Sequence, residues 1–114
     1  MTEPRLMTAE AAEHFLARTP YVARLNLSVV GKHGGYETVP VCSAEEFVNV
    51  TRALEPVFDP AVLQEWVAEQ LGDAELGAAI RAACEELPAF HQAPAAHELM
   101  AARLEEARSF GITH

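Results

Sequence analysis

Two amphipathic runs that meet at Gly72-Asp73 constrain this chain more than any other feature of its sequence. The first opens at Phe58-Asp59-Pro60. Asp59 is placed to accept from an unpaired backbone N–H at a helix start, and Pro60 gives up nothing at the first helical position, where its missing N–H had no partner. Phe58 and Leu63 have hydrophobic-staple spacing. Val62, Leu63, Trp66, Val67 and Leu71 fall on one helical face, with Gln64, Glu65, Ala68 and Glu69 opposite. Gly72 is the expected stop, since glycine enters the left-handed region without a Cβ penalty. Asp73 caps the next helix at once. Leu76, Ile80, Ala83, Cys84 and Leu87 form its stripe, and Pro88 ends it. So short a connection makes the two helices neighbours, and Trp66, the single tryptophan, is expected where they meet.

At 114 residues the chain is expected to form one domain over 1–114. Half of it is hydrophobic, with alanine prominent and aromatics few, which favours close-packed helices over a β-sandwich. The net charge of −9 is unevenly spread. Residues 1–43 balance Glu3, Glu10, Glu13 and Glu37 against Arg5, Arg18, Arg24 and Lys32, so the whole excess lies in 44–114. An acidic helical half argues against nucleic acid, whose phosphates need Lys and Arg, and against anionic membrane surfaces. No apolar leader or membrane-length stretch is visible. Cys42 and Cys84 lack CxxC spacing and sit at apolar positions. Reduced, buried thiols and a cytoplasmic location are therefore expected.

In chain order, residues 1–7 read as a loose leader and 8–18 as a helix capped by Thr8, with Ala12, Phe15 and Leu16 on one face. Thr19-Pro20 ends it. Tyr21 to Val30 alternates apolar and polar, which is strand spacing. Tyr36 to Val41 returns as a second strand, at an edge because Pro40 cannot donate to a ladder. The β-hairpin thus spans 21–41 and the helical part 43–111. Ser43 and Glu46 have capping-box spacing before a helix from Ala44 to Leu54 that buries Phe47, Val50 and Leu54. A kinked link from Pro88 to Pro94 leads to a last helix, Ala95 to Phe110, stopped by Gly111. The fold class is α+β, predominantly helical: an N-terminal helix, one hairpin, then about four helices packed as a small bundle against it.

Trp66-Val67-Ala68-Glu69-Gln70-Leu71-Gly72-Asp73-Ala74-Glu75-Leu76 resembles helix–corner–helix segments of small prokaryotic domains, and that resemblance implies no activity. Chemistry-bearing motifs are sparse. Glycines and a cation let Lys32, His33, Gly34, Gly35 and Tyr36 approach an anion, although no Ser or Thr follows the lysine as in a P-loop. None of the five histidines forms an HxxxH or HExxH pair, so no metal is expected. Glu85-Glu86 and Glu105-Glu106 are adjacent on helices and cannot face each other as acid–base pairs. No catalytic residue and no cofactor is assigned, and the balance leans away from an enzyme.

The expectation is an acidic cytoplasmic interaction domain, an accessory or regulatory subunit acting through a protein partner or as a dimer. Tyr21, Leu25, Leu27, Val39 and Val41 of the hairpin form its interaction surface. The alternative is a small ligand- or metal-binding domain or enzyme that uses the Lys32–Tyr36 loop with His91 or His97. A DNA-binding winged-helix reading is disfavoured by the early hairpin and the acidic helices.

Overall fold

The computed structural model describes residues 9–30, 34–54 and 56–113; side chains are described over the same ranges except at 9, 30, 89, 90 and 110–113. The expected leader 1–7 and the Thr8 cap lie outside them. The elements are α1 (Ala9–Leu16), a 3₁₀ turn (Tyr21–Ala23), β1 (Leu25–Val30), β2 (Tyr36–Val41), α2 (Ala44–Ala53), α3 (Pro60–Gln70), α4 (Ala74–Glu85) and α5 (Ala89–Thr113). The fold is α+β and predominantly helical.

The corner at Gly72-Asp73 forms as its chemistry dictates. Gly72 has φ +68°, and an added Cβ there would stand 2.5 Å from His14 Nδ1 on α1. The glycine thus serves both the turn and the approach of α1. Asp73 Oδ1 accepts from Leu76 N–H at 3.1 Å. At Gly77 an added Cβ would stand 2.8 Å from the Gln64 carbonyl, so α3 and α4 touch nearly backbone to backbone. Leu63, Trp66, Val67 and Leu71 are buried as their stripe requires. Val62, one position off that stripe, is half exposed, a correction to its expected place. Leu16, Leu54 and Leu87 also reach solvent rather than the core.

α5 is the spine against which α1, α2 and α4 all pack. Its buried residues Ala93, Ala96, Met100, Leu104 and Ala107 recur every three or four positions. From Ala89 on, the expected link of Pro88 to Pro94 is instead part of this helix, which passes through Pro94 and also through Gly111. Pro94 removes one intrahelical hydrogen bond, but it points to solvent while Ala93 and Ala96 on either side are in the core. The first turn is also tied down, because Gln92 Nε2 donates to the Cys84 and Leu87 carbonyls at the end of α4. Tertiary burial here outweighs a local helix breaker.

The first strand begins later than its alternation suggests. Pro20, Tyr21 and Ala23 close a turn, with Ala23 N–H on the Pro20 carbonyl at 2.9 Å and Arg24 N–H on the Tyr21 carbonyl at 3.2 Å. From Leu25 the alternation holds, and Leu25, Leu27 and Val29 are buried. β1 pairs antiparallel with β2, with Leu25 opposite Val41 and Val30 opposite Tyr36. Ser28 turns its N–H and C=O the other way, to Val57. Alternation of the ladder then places the N–H positions of Tyr36, Thr38 and Pro40 on the outer edge of β2. Pro40 has no N–H to offer there, which blunts that edge against a further strand.

Ser43 Oγ caps α2 by accepting from Glu46 N–H, and Glu46 Oε1 reaches one residue past the cap to accept from the Cys42 N–H at 3.0 Å. Phe58 packs edge-on against Phe47 with ring centroids 6.4 Å apart, linking the segment before α3 to α2.

Candidate functional site

The sequence-derived ligand loop does not assemble into a site among the described residues. Lys32 and His33 lie outside them. Gly34 (φ +85°) and Gly35 have nothing within 4 Å of a built Cβ, and Tyr36 is 68% exposed. The five residues expected to form the interaction surface separate. Leu25, Leu27 and Val41 are 3%, 0% and 0% exposed and belong to the core, because the apolar face of the hairpin closes onto the helices. Val39 is half-buried. Tyr21 alone remains fully at the surface, in the 3₁₀ turn rather than a strand.

That turn is held firmly. Thr19 N–H donates to the Cys42 carbonyl at 2.7 Å before it, and Trp66 Nε1–H donates to the Ala23 carbonyl at 3.1 Å at its end. Arg24 Nη1 donates to the Tyr21 carbonyl, and its guanidinium lies 4.2 Å from the Tyr21 ring centre. Between these anchors Val22 is 90% exposed and Tyr21 64%.

A second feature is a cleft of about 470 Å³ between the end of α2 and the first turns of α5, lined by Thr51, Arg52, Ala53, Leu54, Pro94, His97 and Glu98. His97, one of the two histidines singled out from sequence, is here; His91 is exposed and does not line it. Thr51 Oγ1 lies 2.8 Å from the Phe47 carbonyl, 3.2 Å from the Val48 carbonyl and 2.7 Å from His97 Nδ1. A hydroxyl has one proton. Giving it to the Phe47 carbonyl, the usual back-bond of a helical threonine, makes His97 Nδ1 the donor to Thr51. His97 Nε2 then carries the free lone pair, with no hydrogen bond among the described residues and no burial that would isolate it. Since its proton is engaged by the backbone, Thr51 orients the imidazole and is not an activated nucleophile. Among the described residues no three His, Cys, Asp or Glu side chains converge as metal ligands.

Thr51 was missed from sequence, although a signal exists. It lies four residues after Phe47 on the buried face of α2, where a polar side chain needs a partner. Arg52 and Glu98 carry no such signal, since charged residues on exposed helix faces are ordinary.

Two further polar arrangements are structural. Arg103 Nε donates to Asp73 Oδ2 at 2.6 Å, and its Nη1 pairs with Glu106. Burial pulls the Arg103 guanidinium pKa down, but the hydrogen bond and charge of Asp73 and the carboxylate of Glu106 outweigh it and raise the net value. Burial likewise pushes the Cys84 thiol up; its Sγ lies 3.7 Å from the Gln92 carbonyl. Because the neutral thiol is favoured in the fold, its contribution to stability is whole below the unfolded thiol pKa of about 8.5. It is lost as pH rises from there through the folded value. With Cys42 replaced by alanine, Cys84 is expected to react with a disulfide reagent only as fast as the protein unfolds, and the urea midpoint to fall above that pH. Rapid labelling of the native protein would overturn this.

No protein-family model matches the chain, and neither a curated protein nor a solved structure matches it. Among the described residues no helix is long and apolar enough to cross a membrane.

Proposed function

We propose that the chain is a small interaction domain, an accessory or regulatory subunit that acts in the cytoplasm through a protein partner, and that it docks by the turn at 20–24. One observation carries the reading: Tyr21 and Val22 are presented to solvent on a turn fixed at both ends by hydrogen bonds to Cys42 and Trp66. Single exposed apolar side chains are commonplace. An apolar pair on a pre-organised backbone is different, because little conformational freedom is left to lose on binding. Tyrosine and arginine, stacked here as Tyr21 and Arg24, are also enriched among residues that dominate binding energy.

Charge narrows the partner. Arg24, stacked on Tyr21, is the cation of the turn in a molecule of net charge −9, whereas Arg18 before it is paired with Glu46 at 3.4 Å. A partner groove that is apolar at its floor and carries a carboxylate at its rim complements Tyr21, Val22 and Arg24. The same overall charge keeps the chain away from nucleic acid and anionic lipid.

Native mass spectrometry of the protein isolated gently from its host tests the proposal. Wild-type protein is expected in one defined heteromeric mass. Val22→Asp is expected as the lone chain with its melting temperature unchanged, since Val22 touches little of the fold. A homodimer lost in Val22→Asp would assign the same face to self-association instead. A complex that survives the substitution would remove this face from the interaction.

A further inference from the structure

Arg52 and Glu98 line one cleft, carry opposite charges, and pair neither with each other nor with another side chain among the described residues. The other helix arginines are all engaged: Arg81 by Glu85 and Gln64, Arg103 by Asp73 and Glu106, and Arg108 by Glu45. His97 lines the same cleft, and with its Nδ1 donating to Thr51 its Nε2 is left as an acceptor. The last turn of α2 ends at Ala53, so its partial negative charge falls on the same side. Leu54 and Pro94 supply apolar wall.

We propose that this cleft binds a small zwitterion of the free amino-acid class. The ligand carboxylate pairs with the Arg52 guanidinium, which accommodates a carboxylate with two parallel hydrogen bonds. The ligand ammonium is held by the Glu98 carboxylate and by His97 Nε2, and the negative end of α2 favours it further. The ligand side chain lies against Leu54 and Pro94. A simple anion would meet Glu98 unopposed, a simple cation would meet Arg52, and an apolar molecule would strip water from both charges without replacing it. A zwitterion alone leaves neither charge unmatched, and a cleft of about 470 Å³ admits a molecule of that size.

The test is a ¹H–¹⁵N correlation titration of the full chain with L-leucine, L-glutamine and glycine. It is run beside N-acetyl-L-leucine, which lacks the ammonium, and L-leucinamide, which lacks the carboxylate. The free amino acids are expected to give saturable shifts confined to residues 51–54 and 94–98. Each blocked form should bind at least about tenfold more weakly, the cost of one charge-assisted hydrogen bond. Arg52→Gln should erase the preference for leucine over leucinamide, and Glu98→Gln the preference for leucine over its N-acetyl form. Both side chains are exposed, so the melting temperatures of these variants report whether the fold is intact. The proposal is overturned by the absence of saturable shifts up to about 50 mM probe, by equal binding of the blocked forms, or by preferences that persist in both variants.

Discussion

Asp73→Ala is expected to lower the free energy of unfolding by about 3 kcal/mol, and Asp73→Asn by less. The two losses are separable because Asp73 does two things with its two oxygens. Oδ1 caps α4 by accepting from Leu76 N–H, a role worth about 1 kcal/mol that asparagine can fill. Oδ2 is the closest carboxylate oxygen to Arg103 Nε, with side chains only 7% and 13% exposed. Removing one member of a buried pair costs more than the pair contributes, because the remaining charge stays desolvated, and values of about 3–5 kcal/mol are typical. Glu106 still faces the guanidinium, which places the expected loss at the lower end. Urea denaturation measures it as a shift in midpoint at constant slope. If alanine and asparagine prove equally damaging, the charge dominates and the cap is minor. If asparagine is neutral, the ion pair contributes nothing and only the cap matters.

The features of this fold that were legible from sequence are those whose partners lie close together in the chain. The Asp59-Pro60 start, the Gly72-Asp73 corner and the Ser43–Glu46 cap each depend on residues within three or four positions, and each forms. What was not legible depends on distant partners. The alternation from Tyr21 to Val30 fits a strand throughout, yet its first three residues make a turn whose last carbonyl is taken by Trp66, 43 positions away. Pro94 reads as a breaker, but burial of Ala93 and Ala96 against other helices keeps α5 continuous. The interaction surface was misplaced for a related reason. A two-stranded hairpin alone cannot cover Leu25, Leu27 and Val41, but the helices packed on that face bury all three. Only His97 of the cleft was in view, because its partner Thr51 lies 46 residues earlier.

Trp66→Ala is expected to be the most damaging single substitution, at about 3–5 kcal/mol, the range for truncating a large core aromatic. Against a typical total stability of about 5–15 kcal/mol, that leaves a marginal fold. Trp66 is 6% exposed and belongs to the central cluster with Leu63, Val67 and Leu71, so its loss opens a void between elements that cannot easily close. Its second role is sharper. The indole N–H is what holds the Ala23 carbonyl and hence the end of the Tyr21–Ala23 turn. Trp66→Phe keeps most of the ring volume and drops that bond, so its expected cost in stability is about 1 kcal/mol plus a small packing term. The two substitutions therefore pull the roles apart. If the turn docks a partner because it is pre-organised, Trp66→Phe should weaken partner binding while the protein remains folded and every exposed residue of the turn is unchanged. Amide hydrogen exchange at Ala23 and Arg24, whose N–H groups close the turn, should quicken in parallel. Faster exchange with undiminished binding would mean that the rigidity of the turn is incidental to docking. Unchanged exchange would mean that the bonds from Pro20 and Tyr21 hold the turn without help from the indole.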